Sequence, residues 1–414
     1  MRLSGVLPPP RFAQRRRLVD PATGNVLDDG LVLWFPAPHS ATGEDVAELH
    51  VHGSRAVLAS LMDLLRGFGL RLAEPGEFTR RGFVNGKLDL LQAEAIADLT
   101  AAETEAQRRQ ARRQLNGELS DLYQGWRDRL ITALAHLEAA IDFPDEDLPP
   151  EIDDRILDET QALIAQIENH LADGHRGEKL RDGISIAILG PPNAGKSTLL
   201  NRIVRREAAI TSPIPGTTRD VVEAAIDLQG YPVVLADTAG LRDSDDIIEQ
   251  EGLRRALQRA EEAEIRLFVF DASCPAEAHA ASAWPGPDTI LIANKIDLVP
   301  KSSHRSSGGR EKDIERRAIP VSALTGAGMD ALMKALAGRV AENYRLEAPV
   351  VTRARHRQAL EEAAFSLRRA LLASLPELRA EDLRLALRSL GRITGAVDVE
   401  DLLDVIFRDF CIGK

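Results

Sequence analysis

The sequence predicts a multidomain protein in which an α/β domain is inserted into an all-α domain, after a small α+β domain at the N-terminus. A glycine-rich loop at 190–197 lies between an apolar run and a helical pattern. Strand-like and helical patterns alternate from about 183 to 344, which predicts a mostly parallel sheet with helices on both faces. Helical periodicity occurs on both sides of that segment. The predicted domains are 1–85, 86–182, 183–344 and 345–414, the second and fourth being two parts of one helical domain.

The N-terminal segment combines short strand-like runs with turns. Residues 30–35 form one apolar strand pattern, and residues 45–52 alternate as a second strand. His50 and His52 therefore share one face. A paired-histidine metal site is conceivable, but no third ligand at suitable spacing accompanies the pair, so surface or hydrogen-bonded histidines are the favoured interpretation.

Helical patterns occupy the segments on either side of the α/β region. Apolar residues recur every three to four positions from Leu115 to Ile141, which predicts one apolar stripe of more than seven turns. The acidic, proline-bearing stretch 142–150 ends that stripe, and another begins at Ile156. These stripes predict helices that pack on helices, and the same periodicity returns in a C-terminal set of segments: 355–375, 380–390 and 399–407.

The segment 190–197 has the spacing G-x-x-x-x-G-K-[ST], between a buried-strand pattern at 184–189 and a helical pattern at 198–203. Its two glycines let successive backbone N–H groups surround a phosphate, and the helix N-terminus favours negative charge there. Lys196 brings a positive charge to the outer phosphates, and the Ser197 hydroxyl is a hard oxygen suited to Mg2+. The segment therefore predicts a nucleotide-binding P-loop.

Two further loops are spaced to close over the nucleotide. Residues 214–220 contain two adjacent threonines, one of which can complete the Mg2+ shell and sense the terminal phosphate. A strand pattern at 231–236 leads into Asp237 and Gly240. Asp237 can hold a Mg2+-bound water, and the Gly240 N–H can reach the terminal phosphate because no side chain blocks the approach. These loops predict two nucleotide-dependent switches.

The tetrad 294–297, after a strand pattern at 289–293, predicts the base specificity. Asp297 can accept hydrogen bonds from both N1–H and N2–H2 of guanine, a donor pair that adenine lacks. Residues 321–324 supply a second base-contacting loop, so GTP and GDP are the predicted ligands. The predicted GTP-binding residues are Asn193, Ala194, Gly195, Lys196, Ser197, Thr198, Ser212, Pro213, Ile214, Pro215, Gly216, Thr217, Thr218, Asp237, Thr238, Ala239, Gly240, Asn294, Lys295, Ile296, Asp297, Ser322 and Ala323.

Hydrolysis needs a group that orients water, and the position that often carries a glutamine is Leu241 here. Asn193 offers an amide oxygen beside the β- and γ-phosphates, where it can ligate a monovalent cation together with carbonyls of the first switch. Such a cation would supply the charge that an arginine finger supplies elsewhere. Glu249 is placed where a carboxylate can orient water through a second water, although a solvated helix residue is the plainer interpretation.

The composition of the chain bears on its cellular compartment and on the classes of partner that it can bind. The chain has 414 residues, 44% of them hydrophobic, with no apolar run near 18 residues and no signal-peptide layout, which predicts a cytoplasmic protein without a membrane partner. Cys274 and Cys411 make neither a disulfide framework nor a zinc spacing. The net charge of −12 argues against a broadly basic surface for nucleic acid, although local arginine clusters remain available to an RNA.

Over nearly its whole length the chain resembles the MnmE (TrmE) family of tRNA uridine-modifying GTPases. The resemblance includes the GTPase motifs at 190–197, 214–220, 237–242 and 294–297. Three further segments are specific to the family rather than to GTPases in general: 75–79, 85–95 and the terminus 410–414.

The resemblance implies particular ligands and roles for residues of this chain. It implies an N-terminal domain that binds a tetrahydrofolate derivative, a helical domain split by the G domain, and a homodimer whose G domains pair when K+ binds. The residues implied are Ser197 and Thr218 for Mg2+; Asn193, Ser212, Ile214 and Thr217 for K+; Arg2, Glu48, Lys87 and Lys414 for folate; and Glu249, Asn193, Lys196 and Cys411 for catalysis.

The resemblance also implies a reaction. With an FAD-dependent partner, MnmG, in a heterotetramer, the family installs a 5-carboxymethylaminomethyl or aminomethyl group on the wobble uridine of certain tRNAs. Family chains begin with a strand and a glycine-rich turn before the segment that residues 1–5 resemble, so we expect a shortened N-terminal domain here. The alternative is a ribosome-assembly or RNA-binding switch GTPase without modification chemistry, and the segments 75–95 and 410–414 favour the first reading.

Overall fold

The computed structural model describes most of the chain in seven stretches: 3–143, 151–209, 223–237, 261–274, 288–299, 317–345 and 348–397, with single residues at 258, 277, 286, 403, 406 and 407. The chain forms two compact units. Unit one contains Met1–Thr100, Gln114–Ile164 and Ala359–Lys414, and unit two contains Ala101–Arg113 and Ala165–Gln358. The domain boundaries predicted at 85, 182 and 344 remain predictions.

The strands of the described residues are β1 (Gln14–Val19), β2 (Val26–Phe35), β3 (Val46–His50), β4 (Ile184–Leu189), β5 (Ala208–Ala209), β6 (Glu223–Leu228), β7 (Tyr231–Asp237), β8 (Ile265–Asp271), β9 (Thr289–Asn294) and β10 (Ile319–Pro320). The helices are α1 (Arg55–Gly67), α2 (Glu77–Val84), α3 (Leu90–Ala101), α4 (Glu105–Leu115), α5 (Glu118–Asp142), α6 (Glu151–Leu171), α7 (Arg176–Asp182), α8 (Lys196–Arg206), α9 (Met329–Tyr344), α10 (Ala354–Leu372) and α11 (Pro376–Thr394). No helix in these stretches carries an apolar segment long enough to span a membrane.

Unit one begins with a three-stranded antiparallel sheet in the order β1-β2-β3. At Gly30 a Cβ would lie 2.5 Å from the carbonyl oxygen of His50, so only glycine allows β2 and β3 to approach this closely. The two histidines at this sheet pair with separate carboxylates: His50 Nε2 lies 3.0 Å from Glu48, and His52 Nδ1 lies 2.8 Å from Asp28. The described residues contain no group of three or more His, Cys, Asp or Glu able to hold a metal ion. The two contacts are those expected of hydrogen-bonded histidines.

The helical part of unit one differs from its prediction at one point. The apolar stripe predicted to run without a break from Leu115 is divided, because α4 ends at Leu115 and α5 begins at Glu118. Gly117 lies between them with φ +95°, a left-handed conformation that ends a helix and that glycine adopts at little cost. Within α5 the aromatic side chain of Tyr123 is fully buried.

Unit two is built on a seven-stranded sheet in the order β10-β9-β8-β4-β7-β6-β5. The first five strands are parallel, and β6 and β5 are antiparallel additions at one edge. The central strand β4 faces a core on both sides: Ile184 and Ile186 belong to the cluster that also includes α8 and α9, and Ala187 belongs to the cluster on the opposite face. Burial on both faces explains why 184–189 is a continuous apolar run rather than an alternating one. The predicted mostly parallel α/β fold is confirmed.

Candidate nucleotide-binding site

The P-loop connects the carboxyl end of β4 to the first turn of α8. Gly190 has φ +139°, and a Cβ there would lie 1.9 Å from the carbonyl oxygen of Val269 on β8. Gly195 has φ +92°, and a Cβ there would lie 2.4 Å from Nδ2 of Asn294. The two glycines are thus required by the packing of the loop against neighbouring strands, in addition to the phosphate approach that the motif predicts.

Lys196 is the first residue of α8, and its ammonium group lies over the P-loop. Nζ donates hydrogen bonds to the carbonyl oxygens of Gly190 and Pro191, both at 2.8 Å. The residue is only 8% exposed. A buried ammonium needs such acceptors, and they fix its position at the helix N-terminus, where a phosphate is also favoured.

The remaining P-loop residues differ in exposure. Asn193 is exposed and has φ +60°, a left-handed conformation that asparagine adopts more readily than most residues. Ala194 is buried, whereas Ser197 and Thr198 are exposed on the first turn of α8. The hydroxyl-bearing residues and the amide of Asn193 are thus accessible at the mouth of the loop.

Asn294, at the end of β9, is 2% exposed and both ends of its amide are used within the protein. Nδ2 donates to the carbonyl oxygen of Ala194 at 2.8 Å, and Oδ1 accepts from the N–H of Ala323 at 2.9 Å. The side chain therefore joins the P-loop to the 322–326 loop. The sequence predicted Asn294 as a nucleotide-contacting residue, and this bridge is a structural role that the motif did not reveal.

The 322–326 loop is closed by its own hydrogen bonds. Ser322 is fully buried; its Oγ accepts from the Thr325 N–H at 3.1 Å, and its carbonyl oxygen accepts from the Gly326 N–H at 2.7 Å. The Ser322 N–H in turn donates to the carbonyl oxygen of Ala327 at 2.9 Å. Ala323 is 4% exposed, so its backbone is packed as well as bonded.

Lys295 and Asp297 continue the chain from Asn294 toward the surface. Lys295 has φ +63°, and its Nζ lies 2.7 Å from Oδ2 of Asp271 at the end of β8. Burial alone would raise the pKa of Asp271, but hydrogen bonds from Lys295 and Ser273 outweigh it and hold that pKa below its ordinary value. Asp297 is exposed on a short 3-10 helix (Ile296–Leu298), where its carboxylate is accessible to a ligand.

Several predicted site residues lie outside the described part of the chain. Asp237 is the last residue of β7, and its side chain is not described. The residues outside the described stretches are Arg2, Ser212, Pro213, Ile214, Pro215, Gly216, Thr217, Thr218, Thr238, Ala239, Gly240, Glu249, Cys411 and Lys414.

Two of the predicted folate residues are described, both in unit one. Glu48 lies on β3, half exposed, with its carboxylate beside His50. Lys87 follows α2, and its stem packs at Gly43, where a Cβ would lie 3.5 Å from Lys87 Cγ. Asn85 Nδ2 donates to the carbonyl oxygen of Thr42 at 2.7 Å, so the segment after α2 is held against the loop that precedes β3.

Sequence reasoning missed two residues that shape the site. Asp271 holds Lys295 from β8, and Arg202 on α8 bonds to the backbone of the 322–326 loop. Neither belongs to a motif, and Arg202, an arginine within the helical pattern 198–203, carried no signal that separated it from a solvated helix residue.

Comparison with known proteins identifies relatives over the whole chain. Family models described as "MnmE helical domain" and "GTP-binding protein TrmE N-terminus" match residues 90–411 and 2–87. The tRNA modification GTPase MnmE of Paramagnetospirillum magneticum is 56% identical over 410 residues, which is 99% of this chain and 91% of that relative. The protein of the same name from Rhodospirillum rubrum is 54% identical over 427 residues, which is 100% of this chain and 92% of that relative.

A solved structure of the G domain of the T. maritima FeoB iron transporter is 21% identical and covers 38% of this chain and 98% of its own, with a TM-score of 0.28. So low a score supports no further argument. The family models, in contrast, together match residues 2–87 and 90–411, and the two relatives align with 99% and 100% of this chain. The chain belongs to the MnmE (TrmE) family of tRNA modification GTPases.

Proposed function

We propose that the chain hydrolyses GTP at the carboxyl end of its parallel strands and takes part in modifying the wobble uridine of certain tRNAs. The observation that supports the nucleotide site most strongly is the buried amide of Asn294, which links the P-loop to the 322–326 loop. Ligands of parallel α/β sheets bind at the carboxyl ends of the strands, and one nucleotide can contact both loops there. The relatives are named as tRNA modification GTPases, which supports the second half of the proposal.

Base selection is assigned to Asp297, with Ser322 and Ala323 on the facing loop. The exposed carboxylate of Asp297 can accept from the two guanine donors, and an amide in its place could instead donate to the extra carbonyl of xanthine. The Asp297→Asn variant should therefore prefer xanthosine triphosphate to GTP, the reverse of the wild-type preference. Hydrolysis of GTP, ATP and xanthosine triphosphate by the wild type and the variant measures this, and equal use of ATP and GTP by the wild type would contradict the assignment.

Mg2+ is assigned to Ser197 and Thr218, with Asp237 holding a coordinated water. Ser197 fits this role because its hydroxyl is a hard oxygen on an exposed helix turn beside Lys196. The described residues contain no cage of three acidic or histidine ligands, which fits an ion held mainly by phosphate and water oxygens. Bound there, the ion would neutralise charge between the β- and γ-phosphates. Ser197→Ala should raise the Mg2+ concentration needed for half-maximal hydrolysis, with Thr198→Ala as the neighbouring control.

K+ is assigned to Asn193, together with Ser212, Ile214 and Thr217, and water orientation to Glu249. The exposed, left-handed Asn193 places an amide oxygen at the mouth of the P-loop, where a cation can lie near the phosphates. We expect faster hydrolysis in KCl than in NaCl, a difference lost in Asn193→Ala. Glu249→Gln should lower kcat in both salts while leaving GDP binding unchanged. A K+ response that persists without the Asn193 amide would contradict the assignment.

The modification step is assigned to a homodimer that works in the cytoplasm with MnmG, the FAD-dependent partner, in a heterotetramer. A tetrahydrofolate derivative would bind at Glu48 and Lys87, with Arg2 and Lys414, and Cys411 would act near the transferred carbon. Titration with 5-formyltetrahydrofolate tests the folate site, and co-purification with the partner tests the assembly. Mass analysis of wobble uridines in a deletion strain tests the function: normal tRNA accompanied by misassembled ribosomal subunits would favour the switch-GTPase alternative.

A further inference from the structure

We infer that Arg202 is a positioning residue for guanine recognition, because it holds the 322–326 loop with the Ala323 N–H at the base-binding edge. The inference rests on the proposed function, in which that loop contacts the guanine. Arg202 lies on α8, away from every motif that predicts the site.

The guanidinium of Arg202 binds two successive backbone carbonyls. Nε donates to the carbonyl oxygen of Ala323 at 3.0 Å, and Nη2 donates to that of Leu324 at 2.5 Å. Both acceptors belong to the backbone, so the interaction fixes the course of the loop rather than the position of another side chain. A planar guanidinium can serve two neighbouring acceptors at once, whereas an ammonium acts as a point charge.

Ala323 is consequently held on both sides. Its carbonyl oxygen accepts from Arg202, and its N–H donates to Oδ1 of Asn294 at 2.9 Å. Both peptide planes that flank the residue are thus constrained, and the direction of the N–H is set by them. In the proposed site guanine O6 would share this N–H with Oδ1 of Asn294, as a bifurcated hydrogen bond.

Gly326 provides the space that the arginine needs. It has φ +91°, and a Cβ there would lie 3.3 Å from Nη2 and 3.5 Å from Cζ of Arg202. The guanidinium therefore packs against the bare face of this glycine. The loop and the arginine fit as a unit.

The geometry connects the two ends of the nucleotide site through one helix. Lys196 begins α8 at the P-loop, and Arg202 lies six residues further on, about 9 Å along the helix axis at about 1.5 Å per residue. A shift of α8 would therefore move the P-loop and the base-contacting loop together. Guanine affinity, rather than phosphate chemistry, is the property that Arg202 should control.

The test compares Arg202→Ala and Arg202→Lys with Arg206→Ala as a matched control. Arg206 lies on the same helix and pairs with Asp330 at the start of α9, where the two side chains are 42% and 88% exposed. Calorimetric titration gives the Kd of the wild type and of each variant for GDP, inosine diphosphate and 6-thioguanosine diphosphate, and the Kd of the wild type for ADP. Inosine keeps O6, and the thio analogue replaces it with sulfur, a weak acceptor.

We expect Arg202→Ala to weaken GDP and inosine diphosphate about ten-fold, as the loss of charge-assisted hydrogen bonds implies, with a much smaller loss for the thio analogue. Arg202→Lys should lie between, and Arg206→Ala should match the wild type. At saturating GTP, kcat should remain within about two-fold, because the effect is on binding.

Each other outcome has a distinct meaning. If the wild type prefers GDP to ADP and Arg202→Ala binds GDP equally well, the inference is wrong and the proposed function stands. An equal loss for all three nucleotides, or an equal loss in Arg206→Ala, would reduce Arg202 to general stabilisation of the fold and overturn the inference. A wild type without guanine preference would instead overturn the proposed function.

Discussion

Two arginine clusters in this chain use the same chemistry in opposite surroundings. In unit two, Arg357 lies 2.7 Å from Asp173 and 3.0 Å from Glu178, and the three side chains are 11%, 5% and 13% exposed. In unit one, Arg71 and Arg81 lie 2.7 and 2.5 Å from Glu77, but these arginine side chains are 63% and 45% exposed.

The difference shows that the distances between charged atoms do not by themselves indicate how much each cluster contributes to stability. Breaking a buried pair leaves a charge without water or partner, whereas an exposed pair is replaced by solvent and is screened by salt. The same reasoning extends to the nucleotide site, where the two hydrogen bonds of the Asn294 amide are buried and join it to backbone atoms. Burial should therefore order the effects of the following substitutions.

The largest effect is expected at Gly190, because the buried packing around this residue leaves no space for a side chain. Gly190→Ala would place a Cβ 1.9 Å from the Val269 carbonyl oxygen at φ +139°, and should cost more than about 4 kcal/mol in the free energy of unfolding. Urea denaturation measures this loss of stability, and hydrogen exchange in β4 and α8 shows whether the loss is located at the P-loop. Gly338→Ala, in α9 with nothing within 4 Å of the added Cβ, is the control and should stabilise by up to about 1 kcal/mol. Equal stability of the two variants would contradict the packing argument.

Arg357→Ala tests the buried cluster directly. It leaves Asp173 and Glu178 without their shared cation and frees the carbonyl oxygen of Leu171, which Nη1 binds at 2.9 Å. We expect a loss of about 3 kcal/mol in the free energy of unfolding of unit two. Its exposed counterpart, Arg71→Ala, should cost less than about 1 kcal/mol in unit one. Similar losses in the two variants would break the comparison.

Asn294→Ala should have an intermediate effect, because its partners are buried but uncharged. The substitution leaves the Ala194 carbonyl and the Ala323 N–H unpaired, which should cost about 2 kcal/mol and weaken GDP binding. Asn294→Asp keeps an acceptor for Ala323 but loses the donor to Ala194. Denaturation and GDP titration of both variants measure this, and an aspartate variant as stable as the wild type would show that the donor half of the bridge contributes nothing.

The smallest effect is expected at Glu77 and depends on pH. Hydrogen bonds from Arg71, then from the Glu74 N–H, lower the pKa of Glu77 from its ordinary 4.5 to about 2. Because the folded pKa is depressed, the stabilisation is present above about pH 4.5 and is lost as the pH falls toward 2. Glu77→Gln should be less stable than the wild type at pH 7 by no more than about 1 kcal/mol, and the gap should close in that acid window. Unfolding monitored by Trp126 fluorescence at each pH measures the difference in stability between the two proteins. A difference that stays constant from pH 7 to pH 2.5 would contradict the assignment.

Local features of this protein were predictable from sequence because they depend on neighbours along the chain. The pattern at 184–189 matches β4 residue for residue, and the P-loop falls between that strand and α8 as its spacing requires. The stripe around α5 was predicted in type but not in extent. Periodicity continues through residue 117, and the left-handed turn there follows from glycine's conformational freedom rather than from any apolar pattern.

The sequence by itself determined the order of the GTPase motifs, the central strands and the family, because each can be recognised from residue types that lie only a few positions apart. Tertiary structure decided how these parts hold one another. Asn294 meets Ala194 across 100 positions, Arg202 meets Ala323 across 121, and Arg357 meets Asp173 across 184. No local pattern reveals such pairs, since a hydrogen bond depends on the positions of two atoms in space and the fold alone brings distant segments together.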